Sequence, residues 1–155
     1  MRLNNKIALI TGGAQGLGAA IARRFAEEGA SVVICDMNAE AGAVTVAEIE
    51  KTGARACFQK LNVTNEQEWV AALEAVQARF GRLDVLVNNA GISRVLPHGD
   101  LRAATPQIWQ ELHEVNVVAP FRLIAEAEAA LGAAADCGRP GCVVNVSSHA
   151  GVRPK

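Results

Sequence analysis

The sequence predicts an α/β fold built on one doubly wound parallel sheet. Three observations predict it. Short apolar runs alternate with longer amphipathic ones along the chain. Glycines at positions 29, 53 and 81 close the first three amphipathic runs, as helix stop signals do. A glycine-rich turn, within K-I-A-L-I-T-G-G-A-Q-G-L-G at residues 6–18, joins the first apolar run to the first amphipathic one.

The elements follow in order. Strands are expected at residues 7–10, 31–35, 54–61, 83–87 and 142–146, and helices at 17–28, 39–52, 65–80 and 106–131. Thr64 or Asn65 is suited to cap the third helix, and Pro106 to open the fourth from its first turn. The run at 83–87 shows no polar alternation, the pattern of a strand covered on both faces. Residues 88–105 and 132–141 read as loops. Strands alternating with helices give parallel pairing and right-handed crossovers. The expected strand order is 3-2-1-4-5, with a ligand crevice between strands 1 and 4 where the order reverses.

Composition narrows the classes of function. The 155 residues suit one domain, residues 1–155, with 50% hydrophobic and 20% charged residues. A net charge of -1, with no basic run longer than Arg23-Arg24, gives nucleic-acid binding no electrostatic support. The N-terminal apolar run is too short for a signal peptide or a membrane span. Cys35, Cys57, Cys137 and Cys142 form no C-x-x-C pair or metal-ligand spacing, so they read as reduced thiols of a cytoplasmic protein.

The glycine turn carries the first chemistry. Glycines let the backbone approach a dinucleotide pyrophosphate, and the following helix offers free N–H groups and the positive end of its dipole. Asp36 lies at the end of the second strand, where an acid accepts hydrogen bonds from the adenosine ribose. Its charge repels a 2′-phosphate, and neither Gln15 nor Met37 supplies a cation to reverse that, so NAD is favoured over NADP.

Four motifs then occur in order: T-G-x-x-x-G-x-G at 11–18, N-N-A-G at 88–91, N-V at 116–117 and V-N-V-S-S at 144–148. Together they resemble the short-chain dehydrogenase/reductase family, whose Rossmann-type fold matches the expected sheet. The resemblance implies an NAD-dependent oxidoreductase moving a hydride between NAD(H) and a secondary alcohol or ketone. It implies that Gly12, Gly16, Leu17 and Gly18 form the pyrophosphate turn and Asp36 holds the ribose. Asn62 and Val63 would flank the adenine, with Asn62 standing where the family often has Asp. Asn89, Ala90 and Gly91 would lie along the middle of the cofactor. Asn116 would anchor a water in the proton relay, and Ser148 would hydrogen-bond the substrate carbonyl or hydroxyl. A homodimer or homotetramer is implied, and a small-molecule alcohol or ketone as partner.

Plainer readings stand beside these. Asn88 and Asn89 could brace a turn, Asn116 could bond a backbone carbonyl, and Ser147 and Ser148 could simply end a strand. His98, His113 and His149 lack the neighbours of a metal site, and none is assigned. Trp69 and Trp109 read as core or interface residues.

The pattern breaks at one point. The family's general acid/base is a tyrosine about thirteen residues beyond the serine, its pKa lowered by a lysine about four further on. This chain has no tyrosine, ends seven residues after Ser148, and places Lys155 at the wrong spacing. The expectation is therefore the N-terminal part of a domain of about 250 residues. The alternative is a non-catalytic NAD-binding or subunit-pairing module.

Overall fold

The computed structural model describes residues 1–136 and 138–149, so Cys137 and Lys155 lie outside the described residues. Five strands form one parallel sheet: β1 Ile7–Thr11, β2 Ser31–Asp36, β3 Ala56–Lys60, β4 Val85–Asn88 and β5 Cys142–Asn145. Their order is β3-β2-β1-β4-β5, as the sequence predicts. The register sets Ile7 beside Ser31, Ala8 beside Val85, and Asn88 beside Asn145. Every residue of β1 and β4 is buried.

Because side chains alternate across a strand, β1 feeds two cores. Ala8 and Ile10 pack with Ala22 of α1 (Gly16–Glu27) and Ile49 of α2 (Ala39–Glu50). Ile7 and Leu9 pack on the other face with Trp69 and Val76 of α3 (Glu66–Phe80). Trp69 is therefore a core residue, as expected, whereas Trp109 is 66% exposed. Asn65 caps α3, its Oδ1 accepting from the N–H groups of Gln67 and Glu68 at 3.1 and 3.3 Å. Gly81 ends that helix at φ 72°, a conformation in which a Cβ would be strained.

The helix expected over 106–131 is not continuous. It comprises α4 (Pro106–His113), a π-helical turn (Glu114–Val118), α5 (Ala119–Glu126) and α6 (Glu128–Asp136). Pro120 supplies the physical reason. In an uninterrupted α-helix its missing N–H would have served the Asn116 carbonyl, and its ring would crowd that same group. The wider turn relieves this, with the Ala119 N–H donating to the Glu114 carbonyl five residues back. A short 3₁₀ turn, Leu101–Ala103, precedes α4 in the stretch read as loop. Strand β5 lies at the sheet edge and is largely exposed.

Candidate functional site

Between β1 and α1 the chain turns through Gly12 at φ 62° and reaches Gly16 at φ 56°. At Gly18 the reason for glycine is contact: a Cβ there would lie 2.0 Å from the Gly12 carbonyl oxygen. At Gly16 a Cβ would meet nothing within 4 Å, so that face of the turn is open. The N-cap of α1, Gln15, makes no side-chain hydrogen bond to the helix. By contrast, Asn38, Asn65 and Thr105 each cap the helix that follows them. The first-turn N–H groups of α1 thus lack a side-chain acceptor, the condition in which a helix start receives an anion.

Thr11 locks this turn to the strand beside it. Its buried Oγ1 accepts from the N–H groups of Asn89 and Ala90 at 3.1 and 3.0 Å, and donates to the Val87 carbonyl at 3.3 Å. The Asn89 amide donates in return to the Thr11 and Gly12 carbonyls at 2.9 and 3.0 Å. The bracing reading of Asn89 is therefore correct as far as its amide goes. Asn88, next to it, donates to Asn145 Oδ1 at 2.9 Å and ties β4 to β5.

Asp36 is fixed at the same turn. Its Oδ2 accepts from the Ala14 N–H at 3.1 Å and its Oδ1 from the Asn38 N–H at 3.0 Å. Two main-chain donors hold the carboxylate while leaving lone pairs for further partners. Asn62 accepts from both the N–H and the hydroxyl of Thr64, at 3.1 and 2.9 Å, and its own N–H donates to Glu68. Val63 packs against the core and lines a narrow crevice with Thr11 and Ala90.

Asn116 and Ser148 come together in one cleft of about 860 Å³, lined also by Asn89, Ala90, Gly91 and Phe121. In this cleft the Asn116 side chain is engaged with the backbone. Its Oδ1 accepts from the Ile92 N–H, and its Nδ2 donates to the Ile92 carbonyl, both at 2.9 Å. Gly91 is tight against it, since a Cβ there would lie 3.1 Å from Asn116 Oδ1. Sequence reasoning missed Thr11 and Ile92 as site residues, although Thr11 opens the glycine motif. It also missed Pro120, whose position inside a helical pattern signals the break.

Residues 6–155 match the family profile described as short chain dehydrogenase. The chain belongs to the short-chain dehydrogenase family. It is 40% identical over 154 residues to a cyclopentanol dehydrogenase of Comamonas testosteroni, covering 97% of this chain and 58% of that protein. It is 43% identical over 153 residues to the 2,5-dichloro-2,5-cyclohexadiene-1,4-diol dehydrogenase of Sphingobium indicum, covering 99% and 58% respectively. A metagenomic short-chain oxidoreductase, solved in complex with NADP, is similar in structure with a TM-score of 0.87. It is 34% identical, and the match covers 100% of this chain and 67% of that one. This short-chain dehydrogenase sequence thus spans 58% of the length of those two curated relatives. No helix among its described residues is long and apolar enough to cross a membrane.

Proposed function

We propose that the protein is an NAD-dependent oxidoreductase acting on a small secondary alcohol or ketone. The observation that carries the reading is Asp36, an acid hydrogen-bonded to Ala14 within the open glycine turn. Gly12, Gly16, Leu17 and Gly18 hold the pyrophosphate, Asp36 the adenosine ribose, Asn62 and Val63 the adenine, and Asn89, Ala90 and Gly91 the middle of the cofactor. Asp36 favours NAD because its charge opposes a 2′-phosphate. When bound, the nicotinamide ring gives or takes the hydride at its C4.

The chain's own residues orient and hydrate the substrate. Ser148, in the cleft with Asn116, positions the reacting oxygen. Asn116 serves the proton relay through its main-chain carbonyl, while its side chain braces the backbone of Ile92. The Asn116 amide meanwhile fixes the backbone beside Gly91, which keeps the cleft wall in place. Residues 1–155 contain no tyrosine, so no phenol within them moves the proton. The cytoplasm fits the unpaired Cys35, Cys57 and Cys142. Trp109, Val117 and Phe121, all more than half exposed, fit the family's homo-oligomeric habit.

A second reading is a non-catalytic NAD-binding or subunit-pairing role. The experiment is a panel of secondary alcohols, cyclopentanol included, offered with NAD while NADH formation is followed. Turnover establishes the first reading. NAD affinity without turnover on any alcohol supports a binding role for residues 1–155, and failure to bind NAD contradicts both.

A further inference from the structure

We propose that Glu48 is a positioning residue for cofactor specificity, acting through Arg23. The inference rests on the reading that a dinucleotide places its adenosine ribose at Asp36. Beside the glycine turn lies a second cleft of about 490 Å³, walled by α1 and α2 and lined by Gln15, Gly16, Arg23, Asn38, Glu40 and Thr45. Ala14 lines it as well, and Ala14 and Asn38 are the two residues whose N–H groups hold the Asp36 carboxylate. The cleft is therefore contiguous with the ribose-binding acid. Its floor is rigid, because the buried Thr45 hydroxyl donates to the Ala14 carbonyl at 2.8 Å.

Among the described residues, Arg23 is the one cationic side chain lining that cleft. Gly16, Ala19 and Arg23 lie on one face of α1, three and four residues apart, which points the guanidinium stem along the cleft wall. With the ribose at Asp36, a phosphate on its 2′-oxygen would have in this adjoining wall a planar donor suited to it. Glu48 prevents that. From α2 it accepts from Arg23 Nε at 3.1 Å and from Nη2 at 2.6 Å, both on its Oε2. Glu48 itself does not line the cleft. The pair neutralises the cation and draws it to α2, so Asp36 and Glu40 set the charge that a 2′-phosphate meets.

The two side chains are 44% and 46% exposed, so separating them disturbs the fold little. In Glu48→Gln the guanidinium is released to the cleft. NADP affinity should rise about threefold, within the worth of the exposed pair that held the guanidinium, while NAD affinity stays unchanged. Adding Arg23→Gln to that variant should remove the gain. Arg23→Gln alone should leave the NADP-to-NAD ratio unchanged, because Arg23 is already paired. Calorimetric titration of the wild-type protein and the three variants with NAD and with NADP reads all of this.

A ratio that stays fixed in Glu48→Gln overturns the inference, as does a gain that survives removal of Arg23. A purely structural role for the pair would weaken both cofactors alike and would also overturn it. The underlying NAD reading fails separately, in the wild-type titration, if NAD does not bind there.

Discussion

Asn116 closes a two-bond ring with the backbone of Ile92, accepting from its N–H and donating to its carbonyl at 2.9 Å each. The pairing joins the π-helical turn to the loop after β4, two segments that sequence separates by 24 residues. Asn116→Leu removes both bonds, whereas Asn116→Asp retains only the acceptance from the Ile92 N–H. We expect a loss of about 1 kcal/mol for leucine and less for aspartate. Amide exchange at Ile92 should quicken in the same order, which hydrogen-exchange mass spectrometry checks.

Thr11 carries more than its place in the glycine motif implies. Thr11→Val keeps the shape but leaves the Asn89 and Ala90 N–H groups without their buried acceptor. The cost should be about 2 kcal/mol or more, while Thr11→Ser should restore most of it. Urea unfolding of the three proteins is the measurement.

Gly16 and Gly18 should separate under the same change. Gly18→Ala sets a methyl 2.0 Å from the Gly12 oxygen and 2.6 Å from Asn89 Nδ2, so the turn itself must shift. It should cost about 3 kcal/mol and abolish NAD binding. Gly16→Ala meets open space and suffers only its left-handed backbone, about 1 kcal/mol. It should fold and still lose NAD affinity, because the methyl occupies the surface proposed for the pyrophosphate. Thermal unfolding alongside NAD titration tells the two apart.

Much of this was legible in the sequence, and the exceptions have physical causes. Strand order, the open glycine turn and the Asn65 cap follow from local patterns, which neighbouring residues largely decide. The cleft shared by Asn116 and Ser148 follows from motif order. That the Asn116 amide bonds a backbone carbonyl matches the plainer reading of the sequence; that the carbonyl belongs to Ile92, 24 residues away, was not legible because only the tertiary fold brings the two together. Trp109 was legible only as core or interface, because helical spacing with apolar neighbours suits both; its 66% exposure removes it from the core of this chain.

Asp84 ties stability to acid pH. Burial would raise its pKa, but hydrogen bonds from Lys6, the Ile7 N–H and Arg82 outweigh that and hold it below the ordinary aspartate value. Its contribution is therefore complete above about pH 4 and is lost as pH falls through the lower folded value. Asp84→Asn should cost about 2 kcal/mol near neutrality, since it leaves Lys6 without its partner at 2.8 Å. It should also flatten the acid limb of a plot of unfolding free energy against pH. A limb unchanged by the substitution would contradict this.

The central claim is that the glycine turn and Asp36 form an NAD site. Its most direct test is equilibrium titration of the wild-type protein and Asp36→Ala with NAD and NADP. The account predicts saturable binding with NAD preferred in the wild type, and loss of that preference in Asp36→Ala. No binding of either dinucleotide, or a preference for NADP in the wild type, would contradict it.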